Sequence, residues 1–250
     1  MKKHLAYFII SSFILFLSAE VSVRLLGLID FPIYDANPII GYIPAANQHG
    51  RFLNKNYWQF NSWHMGAPDF LTNSKPDVLL VGDSIVLGGN MLAQEDRLGP
   101  QLQKIIDQNV WPISAGSWAL QNELTYLHTN PDVVSQIESI VFVLNSADFA
   151  EASSWRCDFT HPRQKPKFAL WYLFNKYIYA LDKCGEVPEM LQVPPGNLSV
   201  ELAEFLKATR LDPVFIIYPN KAEEIDPELR KKTFEPYLSL LFATGAKRVV

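Results

Sequence analysis

Three residues that lie just past apolar segments have the types needed for acyl transfer. Ser84 follows the run 77–81, Gly116 follows the run 110–114, and Asn145 follows the run 139–144. A serine hydroxyl attacks an ester carbonyl, and backbone N–H groups or an amide side chain stabilise the oxyanion that develops. The residue types therefore predict a nucleophile at Ser84 and oxyanion donors at Gly116 and Asn145.

The elements that must position these residues alternate between strands and helices. Short, almost wholly apolar runs predict strands buried on both faces, and an apolar residue every three or four positions predicts a helix. The predicted strands are 77–81, 110–114, 139–144, 213–218 and 249–250, and the predicted helices are 96–108, 118–128, 199–208 and 227–242. This alternation indicates an α/β fold, a three-layer sandwich with a mostly parallel central sheet. Ligands bind such sheets beyond the carboxyl ends of the strands, where the three candidate residues are expected.

The same segments resemble the conserved blocks of the SGNH hydrolases, the GDSL-type esterases and deacetylases. The stretch 81–88 looks like the first block of that family, GDSxxxG after an apolar strand, and Gly116 and Asn145 stand at the glycine and asparagine of the second and third blocks. The resemblance implies an SGNH-hydrolase or flavodoxin-like fold with Ser84 as the nucleophile. It also implies an oxyanion hole made of the N–H groups of Ser84 and Gly116 and the side-chain amide of Asn145.

Two departures from the family pattern concern the catalytic triad. The third block usually reads Gly-x-Asn-Asp, whereas residues 143–146 read VLNS and keep only the asparagine. The fifth block supplies the catalytic aspartate and histidine as Asp-x-x-His after the last strand, and the sequence reaches Val250 inside the predicted last strand. Two expectations stay open: the domain is incomplete at its C-terminal end, or its triad is missing.

One Asp-x-x-His string, from Asp158 to His161, occurs in the segment after Asn145. Its spacing fits a catalytic pair, but its position in the chain does not. A chance match is therefore the favoured interpretation, and a catalytic role for Asp158 and His161 is the alternative. His64 is a further, weaker candidate.

The N-terminus indicates export. Residues 2–4 (KKH) precede an uncharged apolar run over 5–19, the pattern of an export signal. Leu17 does not fit the small-x-small rule for cleavage after residue 19, which favours a membrane anchor over a cleaved signal peptide. Glu20 and Arg24 are four residues apart and are expected to pair on one face of the helix. The positive-inside rule then places the rest of the chain outside the cytoplasm, in the periplasm or at the cell surface.

Composition narrows the possible partners. The net charge of -4 and the lack of a long basic run exclude the usual signature of nucleic-acid binding. No His, Cys and Asp cluster has metal-ligand spacing, so we predict neither a metal nor an organic cofactor. Cys157 and Cys184 can form a disulfide in an oxidising compartment or remain thiols, and their spacing does not decide between the two.

The predicted organisation is an anchor at 1–28, an irregular lead-in at 29–75 that packs on the domain, and the α/β domain at 76–250. Aromatic side chains are frequent in the segment after Asn145: Trp155, Phe168, Trp171, Tyr172, Phe174, Tyr177 and Tyr179. They either line a glycan or acyl pocket or pack in the core, and their helical spacing favours the core.

The expected function is hydrolysis or transfer of an ester-linked acyl group through an acyl-enzyme at Ser84. Acylated cell-surface polysaccharide or a small ester is the expected substrate, by family analogy and location. The rival interpretation is a non-catalytic binding or assembly protein of the cell envelope that keeps the scaffold without a working triad.

Overall fold

The computed structural model describes residues 2–69, 75–179 and 184–250. Residue 1 of the predicted anchor and residues 70–74 of the predicted lead-in lie outside this part. The first element is helix α1, Lys2–Leu25. Its segment Lys3–Leu25 is long and apolar enough to cross a membrane, as the sequence predicts for the N-terminus.

The lead-in is more regular than its sequence indicates, because it forms two antiparallel hairpins. Their strands are β1 (Tyr34–Asn37), β2 (Gly41–Pro44), β3 (Gln48–Phe52) and β4 (Asn56–Phe60). Each strand has only four or five residues, too few to show a clear alternation in a sequence window. The first hairpin is held to the domain by the indole of Trp118, which donates to the carbonyl of Tyr42 at 2.6 Å.

The centre of the domain is a five-stranded parallel sheet, in agreement with the predicted α/β class. Its strands are β5 (Asp77–Gly82), β6 (Asn109–Ser114), β7 (Ser139–Leu144), β8 (Val214–Ile217) and β9 (Arg248–Val249). They are ordered β6-β5-β7-β8-β9 across the sheet. This is the doubly wound order 2-1-3-4-5, in which the chain reverses direction across the sheet next to the first strand.

Helices cover both faces of the sheet. The helices after α1 are α2 (Ser84–Leu87), α3 (Leu98–Ile105), α4 (Leu120–Thr129), α5 (Pro131–Val134), α6 (Ala169–Leu173), α7 (Leu198–Ala208), α8 (Lys221–Ile225) and α9 (Pro227–Thr244). Of these, α6 packs against the end of α1 and not on the sheet. Alternate residues of β5 point to opposite faces. Leu79 packs in the large core that contains Leu124 of α4 and Leu202 of α7, and Leu80 packs in a smaller cluster with Val86 of α2.

A long segment between β7 and α7 carries α6, followed by a π-helical turn at Phe174–Ile178. Cys157 and Cys184 form a disulfide in this segment, with their Cα atoms 5.3 Å apart. The structure therefore decides the alternative that the sequence leaves open.

Candidate active site

The register of the sheet brings the three predicted site residues to one edge. Gly82 of β5 is aligned with Ser114 of β6 on one side and with Val143 of β7 on the other. Each candidate lies two residues beyond its strand's member of this row: Ser84 after β5, Gly116 after β6, and Asn145 after β7. Because the strands are parallel, all three belong to the carboxyl edge of the sheet.

Ser84 is the first residue of the one-turn helix α2, and it is exposed. The preceding Asp83 is 6% exposed, and its Oδ1 caps the helix by accepting the N–H of Ile85 at 2.9 Å. The hydroxyl of Ser84 donates to Oδ2 of Asp83 at 3.4 Å. The turn therefore presents the serine hydroxyl to solvent while the aspartate points into the protein.

Two backbone N–H groups at this edge are free to bind an anion. Within the described part of the chain, the N–H groups of Ser84 and Gly116 donate no hydrogen bond. Gly116 is half-buried, and its own carbonyl accepts the hydroxyl of Tyr42 at 2.7 Å, which fixes the loop after β6. Backbone N–H groups without a partner, at the same edge as a hydroxyl, are the kind of donor that stabilises an oxyanion.

Asn145 takes part in a buried polar network below Ser84. Its Nδ2 donates to Oδ2 of Asp83 at 3.0 Å and to the hydroxyl of Tyr218 at 2.8 Å. The hydroxyl of Tyr218 lies 3.3 Å from Oδ1 of Asp83, to which it donates. Burial and the charges of Asp83 and Asp148 raise the pKa of Tyr218, so its hydroxyl keeps the proton that this bond needs.

The network determines what Asn145 can do. An amide nitrogen carries two hydrogens, and both are used in the bonds to Asp83 and Tyr218. Asn145 therefore lies at the predicted position, next to the carboxylate that holds Ser84, but its amide is not a free donor. It joins an oxyanion hole only by giving up one of these two partners.

No hydrogen bond joins the side chains of Asp158 and His161, which have other partners among the described residues. Oδ1 of Asp158 accepts the N–H of Arg163 at 2.8 Å and lies 3.7 Å from its guanidinium. His161 instead reaches the candidate edge, where its Nε2 lies 3.2 Å from the carbonyl oxygen of Gly116. Its ring stacks on Tyr42 with a centroid distance of 3.8 Å.

The chemical state of His161 fits a supporting role. Burial lowers the pKa of His161 to about 4, opposed by its bond to the carbonyl of Gly116 and assisted by the charge of Lys176. The ring is therefore neutral near pH 7. A carbonyl oxygen requires a donor, so Nε2 carries the proton and holds the loop of Gly116 in place. His64, the other candidate, lies in the lead-in, where its Nδ1 is 2.8 Å from the carbonyl oxygen of Pro44.

The chain matches no protein-family model, and a comparison with curated proteins finds no match. In the part of the chain that the structure describes, no group of three or more His, Cys, Asp or Glu residues is placed to hold a metal ion. A cavity of about 840 Å³ lies between α4, α5 and α7, and its lining includes none of the three candidate residues.

Two buried carboxyl groups lie near the network, and the sequence did not single them out. Asp148 is 2% exposed, and its Oδ2 accepts the N–H of Asn145 at 2.6 Å. Burial and the charge of Asp83 raise the pKa of Asp148 to about 7, although the bond from Asn145 opposes the shift. Glu123 of α4 is fully buried, and neither carboxyl oxygen has a hydrogen-bond partner among the described residues. Burial, with the charges of Asp148 and Asp83, raises the pKa of Glu123 well above its usual range.

Tyr218 is the other network member that was missed. It is the last residue of the predicted strand 213–218, and in the structure it directly follows β8. The sequence did carry a signal for Tyr218, namely a hydroxyl at the carboxyl end of a predicted strand, but this signal was not used. Glu123 had no such signal, because a glutamate in a helix is ordinarily exposed.

Proposed function

We propose that the chain is an SGNH-type serine esterase or acyltransferase with Ser84 as its nucleophile. One observation supports this most strongly: an exposed serine stands at the same carboxyl edge of a parallel sheet as two backbone N–H groups that have no hydrogen-bond partner among the described residues. The hydroxyl and these N–H groups, at Ser84 and Gly116, are the parts that acyl transfer from an ester requires.

The proposed reaction proceeds in two steps. The Ser84 oxygen bonds to the ester carbonyl carbon while its proton passes to a base, and the carbonyl oxygen becomes an oxyanion bound by the N–H groups of Ser84 and Gly116. The oxyanion collapses, the bond to the alcohol breaks, and the alcohol leaves with a proton. Water, or an acceptor alcohol in a transferase, then attacks the acyl-enzyme in the same way and frees Ser84.

The base is the requirement that separates this proposal from its rival. In the described part of the chain, the hydroxyl of Ser84 has Asp83 as its hydrogen-bond partner. A carboxylate is a weak acceptor for an alkoxide-forming proton, and a general base works best with a pKa near the operating pH. The SGNH resemblance implies an imidazole in this place. His161 is oriented toward the carbonyl of Gly116 instead.

We further propose that the domain works outside the cytoplasm while α1 anchors it in the membrane. The support is the apolar segment Lys3–Leu25 together with the basic residues that precede it. The disulfide between Cys157 and Cys184 fits an oxidising compartment. An enzyme in that place meets acylated surface glycans and small esters, which are the proposed substrates.

The rival function is a binding or assembly protein of the cell envelope that keeps this scaffold without catalysis. The observation that favours it is the occupied state of the polar groups near Ser84. Both hydrogens of the Asn145 amide are engaged, and His161 is bound to the carbonyl of Gly116. Such a protein would use the same edge to bind an acyl group or a glycan without cleaving it.

A fluorophosphonate probe separates the two functions, because it reacts only with an activated serine. The catalytic proposal predicts labelling of the full chain in detergent, loss of labelling in Ser84→Ala, and retention in Ser146→Ala, which removes another hydroxyl at the same edge. Tandem mass spectrometry of the labelled peptide identifies the modified residue. If the native chain remains unlabelled while phosphonate reagents modify a known serine esterase in the same sample, the rival function stands.

A further inference from the structure

A group of large apolar side chains lies on the surface of α6 and the π-helical turn. We call this group the aromatic patch, and its members are Phe168, Trp171, Phe174, Tyr177, Ile178 and Tyr179. Trp171 is 65% exposed and Ile178 is 76% exposed. The rings lie side by side, with centroids 6.1 Å apart for Trp171 and Phe174 and 6.3 Å apart for Phe174 and Tyr179.

The position of the patch corrects the expectation that these aromatics pack in the core. Only Trp155 and Tyr172 of the predicted set are buried. Ala169 and Tyr172 form the inner face of α6 and pack in a cluster with Val23, at the end of α1. The patch is the opposite face of the same short helix and its continuation. A contiguous exposed apolar surface of this kind marks an interaction site.

The patch is attached directly to the end of the apolar helix α1. The carboxylate of Glu20 accepts the N–H groups of Ala169 at 2.8 Å and Leu170 at 2.9 Å, and so caps the first turn of α6. Arg24 pairs with Glu20 at 2.7 Å and donates to the carbonyl of Lys167 at 2.7 Å. Glu20 and Arg24 therefore pair as predicted, and together they bind α6 as well.

The length of α1 gives the depth at which α6 is held. A helix rises 1.5 Å per residue, so the segment from Lys3 to Glu20 covers about 26 Å. The hydrocarbon core of a bilayer is about 30 Å thick. When Lys3 lies at one boundary of the core, Glu20 and the start of α6 lie near the other boundary. Tryptophan and tyrosine side chains concentrate at this level, where their apolar rings and polar groups both find suitable surroundings.

We propose that the aromatic patch inserts into the interface of the same bilayer that α1 spans. The occupant is the boundary between lipid headgroups and acyl chains, and the patch gives the domain a second contact with the membrane. Two contacts, α1 and the patch, restrict rotation of the domain about α1. The candidate edge with Ser84 is then held in a constant orientation to the membrane. The inference rests on the anchoring part of the proposed function and is independent of catalysis.

Quenching of tryptophan fluorescence by brominated lipid tests the proposal on the full chain. Bromine on the acyl chains near the headgroup quenches only tryptophans that contact the lipid. The sequence has six tryptophans, and none lies in α1. We expect brominated phosphatidylcholine vesicles to quench the native chain, and Trp171→Phe to lose that quenched component. Trp63→Phe, which removes a half-buried tryptophan of the lead-in, should keep it.

A rescue variant excludes an indirect effect of the Trp171 substitution. Phe168→Trp in the Trp171→Phe background returns a fluorophore to the patch and should restore the quenching. Equal quenching of the native chain and Trp171→Phe, or no quenching of either, overturns the proposal. Flotation of the vesicles on a density gradient separates the two failures. A chain that floats without quenching of Trp171 contradicts the patch alone, whereas a chain that does not float contradicts the anchor as well.

Discussion

Asp83 and Asn145 are joined by a hydrogen bond of 3.0 Å, although 62 positions of sequence separate them. Because Asp83 also accepts the hydroxyl of Ser84, this bond links the end of β7 to the orientation of the candidate nucleophile. Tyr218 completes the network by accepting from Asn145 and donating to Asp83. The edge is thus a connected polar unit in which each member restrains the others.

A double-mutant cycle tests whether Asn145 and Tyr218 act as one unit. Asn145→Ala should lower the free energy of unfolding by about 2 kcal/mol, because it removes a buried donor from Asp83. Tyr218→Phe should lower the free energy of unfolding by about 1 kcal/mol. The loss in the double variant should be smaller than the sum of the two single losses by about 0.5 kcal/mol or more. Urea unfolding measures the three values. The control is Tyr57→Phe, which removes a hydroxyl that donates to Gln59 in β4. Its cost should add to that of Asn145→Ala. If the cost of Tyr218→Phe is additive as well, the coupling is contradicted.

The buried carboxyl of Asp148 predicts a loss of stability as the pH rises. A carboxyl with a raised folded-state pKa binds more protons in the folded than in the unfolded chain. Its contribution is complete below pH 3.8 and disappears as the pH rises through about 7. The native chain should lose about 3 kcal/mol of unfolding free energy over this pH range because of Asp148. Asp148→Asn should not show this loss, although its amide oxygen still accepts the N–H of Asn145.

Urea titrations at intervals from pH 4 to 8 measure this prediction. The exposed Glu151→Gln is the matched control, because it removes a nearby carboxyl outside the network. Identical slopes of stability against pH for the native chain and Asp148→Asn would show that Asp148 is ionised in the fold and that the prediction is wrong.

His161 predicts that stability falls as the pH decreases, which is the opposite direction to that for Asp148. Its folded-state pKa of about 4 is below the unfolded value of 6.5, so the folded chain binds fewer protons in this range. The contribution to stability is complete above pH 6.5 and is lost as the pH falls through about 4. His161→Gln keeps an N–H donor for the carbonyl of Gly116 and should remove about 2 kcal/mol of acid sensitivity. Thermal unfolding at pH 4.5 and 7 measures it, and the exposed His128→Gln should behave as the native chain does.

Gly41 predicts a strong local requirement for glycine in the first hairpin. Its φ is +85°, and a Cβ atom would lie 2.1 Å from the carbonyl oxygen of Ser153, which is backbone and has little room to move. Gly41→Ala should therefore lower the free energy of unfolding by about 3 kcal/mol or more. Gly89→Ala is the control for backbone strain alone, since Gly89 has φ +66° and open space around it. It should cost about 1 kcal/mol. Similar losses for both variants would contradict the proposed clash.

The sequence by itself determined the central sheet and the place of Ser84, Gly116 and Asn145. Strands buried on both faces are continuous apolar runs, and such runs can be recognised without any knowledge of the partner strands. The same applies to α1, whose apolar run carries its own signal. The lead-in hairpins were not predicted, because their strands are too short for a clear pattern. The first hairpin is bound to the domain by the bond from Trp118 to Tyr42, and the second packs with α6 and the end of α1.

Only the tertiary structure decided what the polar groups bind. The amide of Asn145, the imidazole of His161 and the carboxylate of Glu20 all have partners that are remote in sequence: Asp83, Gly116 and Ala169. A local pattern predicts the type of a side chain and the element that carries it, but a hydrogen bond of about 3 Å depends on how separate elements pack. For the same reason Trp171 of α6 and Phe174 of the π-helical turn, which a helical pattern assigns to a core, were found on the surface, whereas Tyr172 is buried.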